Sequence, residues 1–326
     1  MMSIFFKKPV ATVALNLRPR RGSWGGANQW TSQLVRFFEF SGWRVRFDLK
    51  RAVDAVVLTH TGLSAHTEFG VEEFEKFKKN HPRVPCLHRI NDNDIRKETT
   101  SMDELLALTN RLVDHTVFVS GWLRYHHAAM WFNDSKPHSV IVPGADSRFF
   151  HPIGARKRSA GEPVRFVTHH WSDNWKKGFD VYQQIDELIS GPLRGKAELW
   201  VIGRWPTELK WKSARTFPPS SGAALAAILR ECDAYVSASR FEPGAMHVAE
   251  GLQCGLPLLY HRDSGGTVDQ GRLYGMQISD DLEATLQEFI LRLPEFKKAL
   301  LELPPSGTRM CAEYFNLVQK LIVHAS

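Results

Sequence analysis

Cysteine is scarce. Cys86, Cys232, Cys254 and Cys311 are the only four in 326 residues, and none forms a C-x-x-C pair. That excludes a disulfide scaffold and a cysteine-built zinc site, and makes a reducing compartment the expectation. No apolar run approaches the roughly 18 residues that a membrane-spanning helix needs. The opening MMSIFFKKPV places aromatic residues before charge, the reverse of a secretory signal. The chain is therefore read as cytoplasmic, with peripheral attachment to a membrane surface left open. Low-complexity tracts and fixed-period repeats are missing, so collagen-like and coiled-coil readings fall away. Histidines number 14, with pairs at His126–His127 and His169–His170, but H-E-x-x-H does not occur and no metal site is expected. G-x-S-x-G is also missing, which demotes a serine hydrolase.

What is present is the composition of an ordered soluble protein, 43% hydrophobic and 24% charged. At roughly 100–200 residues per domain, this length favours two domains. Lys and Arg exceed Asp and Glu by 42 to 35, a net +7 that attracts an anionic partner. Nucleic acid, an acidic membrane and a phosphate-bearing small molecule all fit this charge, and so does a plain solvated surface. No nucleic-acid-binding motif accompanies it.

The hydrophobic pattern alternates between strand and helix periods. Val10 to Leu15 reads as a strand. Trp30, Leu34, Phe37 and Phe38 mark a helix that ends near Gly42, and Trp43 to Leu49 alternates as a half-exposed strand. Further strands are expected at Ala55–Leu58, Val84–Leu87, Thr116–Val119 and Ser139–Val142, with helices near Val71–Lys79, Met102–Val113 and Trp122–Trp131. A polar, basic stretch with Gly and Pro, residues 153–163, reads as a linker. Beyond it strands at Val164–Val167, Glu198–Ile202, Ala234–Val236 and Pro257–Tyr260 alternate with helices after Gly178, at Ala223–Glu231 and from Ala245. Two apolar helical faces follow, Leu282 to Leu293 and Cys311 to Ile322. The fold class is thus α/β, with two Rossmann-like doubly wound domains at 1–152 and 164–307 facing a central cleft, and a final helix at 308–326.

In open parallel sheets, ligands bind beyond the carboxyl ends of the strands. Gly22, Gly25 and Gly26 lie between the first strand and the first helix, where bare backbone N–H groups meet the positive end of a helix dipole. In the second half Ser239 to Pro257 reads SRFEPGAMHVAEGLQCGLP. Gly244, Ala245 and Met246 offer free N–H groups at a helix start, Glu242 precedes them, and Glu250 falls on the same helix face as Met246. A carboxylate beside a phosphate site makes sense when its target is a hydroxyl-rich group such as a ribose or sugar.

At this point the sequence resembles the retaining nucleotide-sugar glycosyltransferases of GT-B architecture, family 4 (glycosyl transferases group 1). The matching pieces are GSWGGANQW, VFVSGWL, VPGADSRFFHP, KKGFD, the two glutamates of EPGAMHVAE, and CGLPLLYHRDSGG, in family order from about residue 9 to about 270. The resemblance implies a retaining, metal-independent transferase with no cofactor beyond a nucleoside-diphosphate-sugar co-substrate. The acceptor, on the first-domain side, would be a glycan, a lipid-linked saccharide or a small molecule rather than nucleic acid. It implies that Gly25 and Gly26 approach the diphosphate and that Lys177 offsets charge on the leaving phosphate. Glu242 would bind donor sugar hydroxyls and Glu250 the ribose, with the backbone around Gly244, Ala245, Met246 and His247 serving the donor. Retention would follow from same-face attack, the departing phosphate oxygen helping to deprotonate the acceptor.

Many family members carry an arginine in the turn after the first strand of the second domain. Here that turn reads THHWSDNWKKG, with His169, His170, Lys176 and Lys177 as the nearest substitutes. His60 and His88 compete as a cleft histidine, and Gly265 and Gly266 close the last motif as further candidates. RINDNDIRK holds a D-x-D triplet, Asp92 and Asp94, of the kind that binds a divalent ion and diphosphate; Asp92 is carried as a positioning residue before a metal role. Alternatives of the same architecture are a catalytically degenerate sugar-nucleotide- or glycan-binding protein and a sugar-nucleotide epimerase.

Overall fold

The computed structural model describes residues 10–20, 22, 25–59, 62 and 67–325. Among them, the first half runs β1 (Thr12–Leu15), α1 (Gly26–Phe40), β2 (Arg44–Arg46), β3 (Ala55–Leu58), α2 (Val71–Asn80), β4 (Cys86–Ile90), α3 (Asp94–Lys97), α4 (Met102–Asn110), β5 (His115–Phe118), α5 (Gly121–Ala128) and β6 (His138–Val140). The second half runs β7 (Val164–His170), α6 (Phe179–Ser190), β8 (Ala197–Gly203), β9 (Arg215–Phe217), α7 (Gly222–Arg230), β10 (Ala234–Ser237), α8 (Met246–Gln253), β11 (Leu258–Tyr260), α9 (Thr267–Tyr274), β12 (Gly275–Gln277), α10 (Leu282–Glu302) and α11 (Gly307–Ala325). A 3-10 turn, Trp175–Lys177, sits between β7 and α6.

Two parallel sheets result, ordered β2-β1-β3-β4-β5-β6 and β12-β11-β10-β7-β8-β9. Strands covered by helices on both faces are apolar along their whole length, as in AVVL of β3, where every residue is buried. In each sheet the chain order reverses beside the first strand: β1 lies between β2 and β3, and β7 between β10 and β8. Such a switch point leaves a crevice at the carboxyl ends.

Two strands outrun their apolar pattern. Expected to stop at Leu87 and Val167, β4 continues to Ile90 and β7 to His170, taking His88, Arg89, Thr168, His169 and His170 into the interior. Pairing explains it. The Arg89 guanidinium lies 4.5 Å from the centroid of the Trp30 ring and donates to Thr59 Oγ1 at 3.1 Å. The alternation over 43–49 yields only the three-residue edge strand β2. Residues 153–163 form neither helix nor strand and are tied to the second domain by Arg156, whose Nη1 donates to Asp233 Oδ2 at 2.7 Å.

The last helix returns to the first domain. On α11, Tyr314 meets Trp30 of α1 edge-on at 5.2 Å, and Phe315 packs among Phe37, Phe38 and Trp43. Gly307 starts it at a crossing so close that a Cβ there would stand 2.0 Å from the Ala145 carbonyl oxygen. Each fully buried large side chain of this face contributes about 1.5–3 kcal/mol, so α11 is part of that domain's core.

Candidate functional site

A cavity of about 540 Å³ opens between the carboxyl ends of the two sheets. Two helix starts face it. Gly25 precedes α1 and Ala245 precedes α8, and neither helix has a side-chain cap. Their leading N–H groups are therefore free for an anion. The two starts nearly touch: a Cβ on Gly26 would lie 3.0 Å from Met246 Cβ.

Lys177 arrives from the 3-10 turn after β7. The chain then reverses at Gly178, φ +87°, where a Cβ would stand 2.2 Å from the Ala238 carbonyl oxygen, so only glycine fits. Glu242 arrives from the loop after β10, behind Phe241, which holds a left-handed φ of +55°. That conformation costs a non-glycine residue about 1–2 kcal/mol. Strain of this kind persists where surrounding contacts over-determine it, and here they do. Phe241 N donates to Asp263 O at 2.8 Å, and Gly266 N to Glu242 O at 2.7 Å. From the first domain, Ser120 Oγ donates to Pro243 O at 2.6 Å.

The Glu242 carboxylate joins the two domains. Its Oε1 accepts from Lys177 Nζ at 2.6 Å and forms an ion pair with Arg96 Nη2 of α3 at 3.0 Å. Burial pushes this carboxyl up, but the Lys177 and Arg96 charges outweigh it and hold it below the usual carboxylate range. Burial lowers the Lys177 ammonium, with Glu242 opposing. Glu250 is 1% exposed on α8, and its Oε2 accepts from His169 Nε2 at 2.7 Å. His169 Nδ1 meets the Tyr235 hydroxyl at 2.9 Å, so both ring nitrogens are engaged. The other Glu250 oxygen, Oε1, is buried with no hydrogen-bond partner among the described residues.

Gly25, Gly26, Asp92, His169, His170, Lys177, Glu242, Gly244, Ala245, Met246, His247 and Glu250 therefore line one cavity. Two expectations are corrected. His88 is fully buried on the opposite face of β4, where Asn110 Nδ2 lies 3.5 Å from its Nδ1; burial pulls its ring down to about 3, and it does not reach the cleft. Gly265 and Gly266 do not line the cavity either. They hold the Glu242 backbone from behind, because a Cβ on Gly265 would lie 2.5 Å from Glu242 O. The D-x-D triplet does not converge. Asp92 pairs with Lys97 Nζ at 3.0 Å, while Asp94 accepts from Thr99 Oγ1, Met102 N and Asp103 N and so fixes the start of α4. His60 lies outside the described residues.

Sequence reasoning missed the cations of the first domain. Arg89, Arg96 and Lys97 all enter the cavity, and Arg96 keeps Nη1 buried without a partner among the described residues. Their signal was the basic residues flanking the aspartates in RINDNDIRK. They supply the charge that the arginine-free turn after β7 lacks. The site thus combines four cations, three carboxylates and two uncapped helix starts. It is built to hold a polyanion against a hydroxyl-bearing group.

No protein-family model and no curated protein sequence matches the chain. Solved structures do match in shape. Sucrose-phosphate synthase from Thermosynechococcus elongatus is 14% identical, with a TM-score of 0.64 over 96% of this chain and 100% of that one. Anabaena HepE, solved with UDP and glucose, is 11% identical, with a TM-score of 0.66 over 95% of this chain and 100% of that one. An alpha-glucosyltransferase solved with UDP and a 13-mer DNA containing a HMU base is 11% identical, with a TM-score of 0.63 over 95% of this chain and 99% of that one. Two parallel six-stranded sheets meeting at a cleft, matched over nearly the whole chain, give this protein the fold of the GT-B glycosyltransferases.

Proposed function

We propose that this chain is a retaining glycosyltransferase of the family 4 type, moving a sugar from a nucleoside-diphosphate donor to a hydroxyl of a glycan, lipid-linked or small-molecule acceptor. One observation carries the reading. Glu242, Lys177 and Glu250, which come from three separate segments, open on a single cavity beside the uncapped starts of α1 and α8. In this reading the diphosphate lies between those helix starts, with Lys177 and Arg96 offsetting the charge that develops as the nucleotide leaves. Glu242 accepts from hydroxyls of the donor sugar. The free Oε1 of Glu250 accepts from the ribose, with His169 fixing the carboxylate.

The charge stabilisation comes from the protein's own cations, so the transfer itself needs no metal and no further cofactor. Residues 1–152 serve the acceptor, 164–307 the donor, 153–163 join them, and the helix of 308–326 closes the first domain. The proposed location is cytoplasmic. Nucleic acid is not the proposed acceptor, and transfer to DNA would overturn that part.

The test is a thermal-shift panel of nucleoside diphosphates and their sugars, followed by NMR of the transfer product. A donor that raises Tm and yields a product of unchanged anomeric configuration is expected. Inverted configuration refutes retention. Conversion of the donor without an acceptor gives the epimerase instead, binding without turnover gives a binding protein, and no stabilising nucleotide overturns the reading.

A further inference from the structure

Outside the cavity, α4 and α5 bring together Asp103, His126 and His127, with one ligand atom from each within 4.8 Å of the others. Asp103 Oδ2 and His126 Nε2 face each other at 3.7 Å, and both are buried without a hydrogen-bond partner among the described residues. That separation is too long for a hydrogen bond. It is close to the spacing of about 3.3 Å between two ligands on one tetrahedral zinc ion at bond lengths of about 2.0–2.1 Å. Asp103 is 5% exposed and His127 fully buried, so two orphaned polar atoms at this place call for a partner that the described residues do not supply.

The surroundings match a metal centre. His127 Nδ1 lies 4.0 Å from Asp103 Oδ1, and His127 Nε2 donates to the Asp92 carbonyl oxygen at 3.1 Å. A ligating histidine characteristically gives its other N–H to a backbone carbonyl in this way. The Asp103 carboxylate is itself held, its Oδ1 accepting from Asp94 N at 3.1 Å. Trp131 Nε1 donates to His127 Nδ1 at 2.9 Å, so the indole must turn aside when the ion takes that lone pair. Two imidazoles and one buried carboxylate suit Zn²⁺, with water as the fourth ligand.

The geometry points to a Zn²⁺ site at Asp103, His126 and His127 that fastens the segment 92–97 from behind. That segment, joined to the site through the Asp92 carbonyl and the Asp94 amide, carries Arg96 and Lys97 into the cavity. The ion lies outside the cavity and takes no part in sugar transfer. The inference is independent of the reaction proposed above.

The full-length protein, stripped with a chelator and desalted, is titrated with ZnCl₂ by calorimetry and with CoCl₂ by visible absorption. One equivalent is expected to bind, with a tetrahedral Co²⁺ band and a change in tryptophan fluorescence as Trp131 moves. At a hundredfold excess over Kd, Tm should rise by about 4–8 °C, depending on whether one domain or the whole chain unfolds. His126→Ala and Asp103→Asn should each weaken binding at least about 10-fold, whereas His324→Ala, an exposed histidine on α11, should not. Folding of the variants is checked by circular dichroism, with His126→Gln in reserve. A wild-type Kd weaker than about 0.1 mM overturns the site, as does binding that survives either substitution.

Discussion

Glu242→Gln keeps the shape of the side chain and removes its charge, which separates two consequences of the same contact. Lys177 and Arg96 both lean on Glu242 Oε1, and all three side chains are only 11–14% exposed. Breaking a buried ion pair by removing one partner costs about 3–5 kcal/mol. The amide still accepts one hydrogen bond and some water reaches the site, so a loss of about 1–3 kcal/mol is expected. At about 2.1 cal/mol/K per residue, the unfolding entropy of 326 residues is about 0.7 kcal/mol/K, and Tm should fall by about 1–4 °C. For activity, a hydrogen bond from a donor hydroxyl to a carboxylate is worth about 1.5–3 kcal/mol, or about 10- to 150-fold in kcat/KM. Differential scanning calorimetry and steady-state kinetics on the purified variant measure both. A folded variant whose kcat/KM stays within about threefold of wild type refutes the role given to this carboxylate.

Lys177→Ala and Arg96→Ala should each weaken binding of the nucleoside diphosphate about 10- to 150-fold, the worth of one charge-assisted hydrogen bond, and calorimetric titration with an unchanged Kd would remove that residue from the phosphate site. In the zinc-loaded protein, transfer should not depend on added Mn²⁺ or Mg²⁺, because Asp92 and Asp94 are engaged by Lys97 and by the start of α4; a strict requirement for Mn²⁺ would revive the D-x-D triplet as a metal site. Acid should destabilise the first domain through His88, held neutral by burial with its pKa lowered from 6.5 to about 3. Below pH 6.5 the unfolded chain takes up this proton and the folded chain does not, so stability falls by up to about 1.4 kcal/mol per pH unit as pH drops toward 3. Tm measured against pH should show a shallower acid limb in His88→Gln than in wild type, and identical limbs would contradict the account.

The alternation of strands and helices was legible because strands covered on both faces must be apolar, and helices packed on one face must repeat near every 3.6 residues. Elements without such a signature escaped. In α9 the buried residues are Thr267, Gln270, Gly271 and Tyr274, a face of small and polar groups that carries no apolar stripe. The carboxyl ends of β4 and β7 were cut short for the same reason, since Arg89, His169 and His170 look like loop residues until their partners are known. Glu242 and Glu250 were found because a turn with glycine, a helix start and a second acid one turn later are local features.

By itself the sequence determined the two α/β sheets with their flanking helices and the turns where chemistry gathers, since hydrophobic period, glycine and helix starts act over a few neighbouring residues. Only the tertiary structure decided that Arg96 of the first domain shares Glu242 with Lys177 of the second, and that α11 completes the domain it leaves last. It alone decided that Asp103 stands beside His126 and His127 and that His88 turns away from the cleft. Such contacts depend on how strands are ordered in a sheet and on which face each residue occupies. Those choices are set by the burial of the whole chain, and no short stretch of it records them.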